Sequence, residues 1–304
     1  MARRHQRTRR KVQLLWLLLS NGYFLGFIKG KIYQGKLKNL CLPGLNCYSC
    51  PGSLGSCPIG SVQAVLSSGK HRFTFYLLGF FLLIGTVLGR FVCGFLCPFG
   101  LVQELLHKIP FPKKIKTFPG DKLLRYLKYA VLLVLVLLLP ALITDPAGNG
   151  SPWFCKVLCP AGTLEGSLPL LLTNSSLRST VGFPFFWKLS ILILILLLSI
   201  LIYRPFCKYF CPLGAIYALF NRISVYRYQV SKTACVDCRA CEKACPMQVK
   251  PHTQTNHPEC VRCGTCKEAC QFGAICSGFF FRERPAAASS CPKDGQEAPP
   301  SPKP

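Results

Sequence analysis

The sequence predicts an α-helical membrane protein of about four transmembrane helices, built as two duplicated hairpins and followed by a small α+β domain. Three observations carry that prediction. Half of the 304 residues are hydrophobic, gathered in runs that approach the ~20 residues a bilayer core requires. A short device, C-P-x-G, returns four times along those runs, in "SCPIG" (56–60), "CGFLCPFG" (93–100), "CKVLCPAG" (155–162) and "CKYFCPLG" (207–214). Beyond the last run, eight more cysteines crowd into residues 235–270.

The expected spans are 12–28, 73–95, 124–144 and 183–203. "YAVLLVLVLLLPALI" and "LSILILILLLSILIY" form the cores of the last two, whereas the first carries Ser20 and Asn21. A fifth run, 167–177, is too short to cross and suits a re-entrant or interfacial helix. Residues 1–11 form a basic N-terminal segment that resembles a signal sequence. No small-x-small cleavage site follows its apolar run, which points to an uncleaved anchor. With the N-terminus in the cytoplasm, six basic residues of 1–11 and seven of 104–128 lie inside. Loop 143–182 then lies outside with only Lys156 and Arg178, as the positive-inside rule asks; loop 29–72, with six basic residues, does not agree. The membrane domain occupies 12–229, a soluble domain 230–280 and a disordered tail 281–304. The formal charge of +26 does not mark a nucleic-acid binder. Its basic residues flank apolar runs and form no stripe.

Twenty cysteines in a long, membrane-rich chain do not suit a disulfide scaffold, which is short and loop-rich. The order span, "CPIG", span, "CPFG" followed by span, "CPAG", span, "CPLG" reads as a duplication. "CPIGSVQAVL" and "CPFGLVQELL" agree beyond the tetrapeptide. A pseudo-twofold axis would bring Cys93 and Cys97 to face Cys207 and Cys211 at the inner surface. Proline and glycine interrupt the helix and free backbone N–H groups for sulfur. Arg90 and Lys208 would offset the negative charge of a cluster held there. The bland reading of these four is small buried packing residues. On the outer surface, Cys155 and Cys159 would join two of Cys47, Cys50 and Cys57. With Cys41 the outer set numbers six, and disulfides, alone or beside a cluster, remain a rival.

"CVDCRACEKACP" (235–246) and "CVRCGTCKEACQ" (260–271) both read C-x2-C-x2-C-x3-C. That spacing wraps three corners of a 4Fe–4S cube and sends the fourth ligand across to the other cluster. It assigns Cys235, Cys238, Cys241 and Cys270 to one cluster, and Cys245, Cys260, Cys263 and Cys266 to the second. Zinc is the rival, but zinc sites use pairs and not crossed triplets. Gln271 replaces a second proline and Cys276 is additional; neither removes a ligand. Residues 230–278 thus resemble the bacterial 2×4Fe–4S ferredoxins, which makes the α+β domain ferredoxin-like. The two inner motifs, "CGFLCP" and "CKYFCP", placed after spans and before such a domain, resemble the NapH-type polytopic membrane 4Fe–4S proteins over most of residues 10–278. That resemblance implies membrane-bound electron transfer between the quinone pool and partner redox proteins. It carries over to Cys93, Cys97, Cys207, Cys211 and the eight ferredoxin cysteines. The chain departs from the pattern in "CLPGLNCYSCPGSLGSCPIG" and the outer "CKVLCP".

No CxxCH, no histidine pair within a span and no GxGxxG loop suggests haem or a nucleotide cofactor. Glu104 and His107 lie on "LVQELLHKI", either as a solvated amphipathic face or as proton acceptors from quinol. Glu165 would be their outer counterpart. The expected cofactors are two 4Fe–4S clusters in the soluble domain, a third at the inner face and a fourth at the outer. The expected protein is a relay subunit in the cytoplasmic membrane of a prokaryote, multi-pass, with both termini in the cytoplasm. A maturation or accessory factor that reduces a metal or cluster in a client is the alternative. A redox-sensing regulator, for which no effector domain is visible, is the third.

Overall fold

A computed structural model describes residues 3–68, 72–112, 114–143, 150–179 and 181–279. The expected tail from 281 lies outside the described residues. Two helices are long and apolar enough to cross a membrane, Asp121–Leu142 and Phe183–Leu201. Only 22% and 17% of their most apolar windows is buried. Leu133, Leu138, Leu142, Phe186, Leu194 and Leu197 all point outward. Such an apolar exterior is the reverse of a soluble core helix.

The other two expected spans are shorter or broken. The apolar helix Phe75–Leu88 stops at Gly89, whose φ of +52° turns the chain into the short helix Phe91–Phe95. The run 12–28 divides into Arg3–Ser20 and Phe24–Lys29. At the break the Asn21 side chain donates back to the Leu17 carbonyl at 3.3 Å, the local bond by which asparagine competes with a helix. The first helix also begins well before its apolar run, so the basic N-terminal residues from Arg3 are helical. Prolines explain two further irregularities. Pro140 and Pro169 each follow a widened π-helical stretch, Leu132–Leu138 and Gly162–Ser167, in which the chain absorbs the missing N–H and the ring clash. The run 167–177 accordingly forms two short helices, Leu168–Thr173 and Ser175–Arg178.

Between the long helices lies a core of wholly buried side chains, among them Leu45, Ile59, Phe99, Phe154, Phe206 and Tyr217. Phe99 meets Phe206 edge to face at 5.4 Å, a favoured aromatic geometry. The C-terminal unit pairs β1 (Tyr226–Val230) antiparallel with β2 (Ile275–Phe279), in the register Tyr226↔Phe279 to Val230↔Ile275. Its helices, Ala240–Ala244 and Thr265–Ala269, each lie within one cysteine run and carry its third cysteine. β1 begins at Tyr226, four residues ahead of the expected boundary at 230.

Candidate metal centres

The recurring C-P-x-G is a thiol-capped helix start. Cys97 and Cys211 stand at the N-cap of Pro98–His107 and Pro212–Phe220, and their sulfurs accept from Gly100 N at 3.4 Å and Gly214 N at 3.3 Å. Cys159 accepts from Gly162 N at 3.3 Å, and Cys57 from the Gly60 N–H. Proline suits the first helical position because that N–H has no helical partner. The glycines admit close neighbours. A Cβ on Gly100 would lie 3.2 Å from the Arg204 guanidinium, and one on Gly214 3.3 Å from that of Arg90.

Two glutamines join the motifs in pairs. Gln103 donates to Cys207 Sγ at 3.3 Å and accepts from Phe206 N at 3.1 Å. Gln63 donates to Cys155 Sγ at 3.3 Å and accepts from Phe154 N at 2.9 Å. The second motif therefore meets the fourth and the first meets the third. Sequence reasoning passed over these glutamines, although "VQ" stands in both segments it compared.

At the inner site Cys93, Cys97, Cys207 and Cys211 are all buried. Burial raises the Cys211 thiol, and its neighbours Cys207, Cys93 and Cys97 raise it further. Two arginines cross between the hairpins: Arg90 donates to the Cys207 carbonyl at 3.2 Å, and Arg204 donates to the Cys93 carbonyl. Both are fully buried. Arg204 went unremarked in the sequence, although each arginine stands three residues before a motif, in "RFVC" and "RPFC". Lys208 is committed elsewhere, to Asp121 at 2.5 Å.

The outer site draws together Cys47, Cys57, Cys155 and Cys159. A Cβ on Gly162 would lie 3.6 Å from Cys159 Sγ and 3.8 Å from Cys47 Sγ. Burial raises Cys159, and Cys155, Cys47 and Cys57 add to it. Cys50 stands aside, its thiol 3.5 Å from Asn21 Oδ1, and Cys41 lies 3.6 Å from the Ser61 hydroxyl. None of the six outer cysteines is joined in a disulfide. In place of arginines this site has Glu165, which accepts from Cys47 N at 2.8 Å and which burial pushes up to about 8.

In the C-terminal unit one cavity is lined by Cys235, Cys238, Cys241 and Cys270, a second by Cys245, Cys260, Cys263 and Cys266. The fourth cysteine of each run thus crosses to the other set. Cys238 is exposed, so the first set reaches the surface. The second lies against the helical part of the chain that precedes it: a Cβ on Gly94 would sit 2.3 Å from the Val261 carbonyl, and Asn221 donates to the Cys260 carbonyl at 3.1 Å. Arg90 and Lys128 both pair with Glu259, next to Cys260. The N-terminal helix closes this joint, with Gln6 donating to the Cys263 carbonyl at 3.2 Å and Gln13 to that of Gly94 at 2.8 Å.

Glu104 is neither a solvated residue nor an available proton acceptor. It is 6% exposed, pairs with Arg9 at 2.9 Å and Arg204 at 3.2 Å, and accepts from Tyr203. Burial alone would raise it, but Arg204, Arg9 and the bonds from Tyr203 and Gln13 hold it at about 2. His107 is half-buried, its Nδ1 3.3 Å from the Ser199 carbonyl. Burial and Lys114 lower its pKa.

Among the described residues no three His, Cys, Asp or Glu are arranged to hold one metal ion, as zinc with its ~2.3 Å bonds to sulfur would demand. Sets of four thiols, with backbone N–H groups bonded to their sulfurs, suit the corners of a polynuclear iron–sulfur cube. Relatives agree. A 4Fe–4S binding domain matches residues 71–119, 129–167 and 184–229, three segments that each contain one C-x3-C-P motif. The uncharacterized protein MJ0750 of Methanocaldococcus jannaschii is 32% identical over 240 residues, covering 75% of this chain and 88% of that protein. The methylamine utilization ferredoxin-type protein MauN of Paracoccus denitrificans is 30% identical over 57% of this chain and 52% of its own. The regulatory protein NosR of Stutzerimonas stutzeri is 27% identical over 55% of this chain, which is 21% of NosR. No solved structure matches. The chain belongs to the 4Fe–4S binding domain family.

Proposed function

We propose that the chain is a membrane-embedded relay of single electrons, with one 4Fe–4S cluster in each of its four cysteine sets. When bound, each cluster takes up and gives back one electron; the protein supplies placement, dielectric and hydrogen bonds. The contact of Gly94 with Val261 carries this reading. It sets the backbone beside Cys93 against the backbone beside Cys260. The exposed Cys238 makes the outermost set the place where a soluble redox partner docks. The relatives' printed names, a ferredoxin-type protein among them, agree with electron transfer.

The finer features of this reading are the four spans, the cytoplasmic membrane and the NapH-type link to the quinone pool. The outward-facing apolar helices support a bilayer. The packing of the N-terminal helix on the C-terminal unit supports both on one face, the cytoplasmic one. If quinol reacts at that face, His107 is the group that can take its proton, since Glu104 is held ionised by two arginines.

Anaerobic purification with iron quantitation tests the assignment. Four clusters predict about 16 Fe per chain at four Fe each. About eight Fe would confine clusters to the C-terminal unit, and zinc in place of iron would overturn the reading. Reduction by quinol in liposomes tests the link to the quinone pool.

A further inference from the structure

The first loop does more than supply an outer ligand. Its backbone passes through the core to the inner site. Leu45 is 1% exposed, and its N–H hydrogen-bonds the Cys97 sulfur. A Cβ on Gly44 would lie 2.4 Å from the Leu96 carbonyl and 3.2 Å from the Cys97 Cα; only glycine lets the two backbones touch. Tyr217, fully buried, anchors the same loop by donating to the Pro43 carbonyl at 3.0 Å. Its phenol is close enough to feel Cys93 and Cys97 of the inner set and Cys57 of the outer one. Two residues beyond Leu45 stands Cys47, of the outer set. Two extended residues cover at most ~7 Å. One short peptide thus runs from a hydrogen bond on an inner-site sulfur to an outer-site thiol.

Resting on the assignment of clusters to both membrane sites, we propose that Leu45–Asn46–Cys47 is a built-in electronic bridge. The inner and outer sites then form one coupled pair. A single electron passes along this strap between the two sites, with no mobile carrier. One site is oxidised by one electron as the other is reduced by one, and no atom or proton needs to move. The soluble set beside Cys260 is the reductant or oxidant on the inner side, and a one-electron redox protein is its counterpart outside.

Proximity on this scale has a magnetic signature. The full-length protein, reduced with dithionite in detergent, would be examined by pulsed EPR alongside the Cys47→Ala variant, with iron counted in both. The expected result is a loss of about four Fe together with slower spin relaxation of the inner-site signal, because its paramagnetic neighbour has gone. Loss of the same iron with unchanged inner-site relaxation would overturn the bridge while leaving the outer cluster standing. No loss of iron would overturn both, and the count tells the two failures apart. Should Cys47→Ala fail to fold, Cys155→Ala removes an outer ligand from the opposite hairpin and leaves the strap intact. The same outcomes then apply.

Discussion

The inner and outer sites are built on one scaffold and dressed differently, the inner with buried arginines and the outer with a carboxyl that burial holds toward its neutral form. Each has a thiol at a helix N-cap bonded by the N–H three residues on, and each has a glutamine spanning from one hairpin to the cysteine of the other. At the inner site Arg90 and Arg204 cross over to the partner hairpin's carbonyls. At the outer site the residue three before Cys155 is Pro152, and Glu165 is a buried ionisable neighbour. Geometry therefore sets what can bind, and the second layer sets its energy. Cations stabilise the more negative, reduced state of a cluster, so the inner site should have the higher potential.

Substitutions of the ligands should break the comparison most severely. Cys211→Ala and Cys159→Ala should each remove about four Fe, the first from the inner site and the second from the outer. Iron quantitation with EPR checks which signal disappears; loss of the same signal in both variants would end the two-site description. Next in size is the arginine exchange. Arg204→Gln should lower the inner midpoint by on the order of 50–100 mV, the scale of one charge at an effective dielectric of ~20, and leave the outer one in place. Arg204→Lys should restore most of it, as read by redox titration. Smaller again, Gln103→Leu and Gln63→Leu remove one N–H···S bond each. Both should lower the potential of their own site by a few tens of mV, since a net hydrogen bond is worth about 1 kcal/mol. A shift at the wrong site would undo the pairing of the second motif with the fourth and the first with the third.

What the sequence made legible was whatever repeats. The four C-P-x-G segments and the two crossed cysteine runs announce themselves by spacing, because helix caps and cluster corners demand fixed offsets. Residues that act across the repeat do not announce themselves. Arg204 looks like any basic residue ending a span until it is seen reaching Cys93. Lys208, adjacent to a cysteine, looked the better counter-ion yet belongs to Asp121. Leu45 lies in a loop with no periodicity, so nothing marks it as crossing the core. Cys50 sits as close in sequence to Cys47 as a ligand pair would, and only the break at Asn21 explains where its thiol goes. The broken first span was foreshadowed by Ser20 and Asn21, whereas the early helix start at Arg3 depends on contacts with residues more than 250 positions away.

The gentlest probe of the difference is acid, and its sign follows from Glu104. The inner face is tied to the N-terminal helix through the Glu104 pairs with Arg9 and Arg204; no such carboxylate–arginine link joins the outer set among the described residues. Glu104 titrates at about 2 in the fold against an ordinary 4.5. A depressed carboxylate contributes its stability fully above the unfolded value and loses it as pH falls toward the folded one. The difference is worth about 3 kcal/mol at most. Between pH 4.5 and 2 the helix Arg3–Ser20 should therefore loosen from the inner face before the outer region responds. Amide hydrogen exchange, corrected for its intrinsic pH dependence, reads this directly: protection of Arg3–Ser20 should fall across that window while protection of Pro58–Ser68 holds. Glu104→Gln should expose the same helix at pH 7 and flatten the acid response. If both helices lose protection together in the wild type, the inner ion pairs are not what holds the N-terminal helix in place.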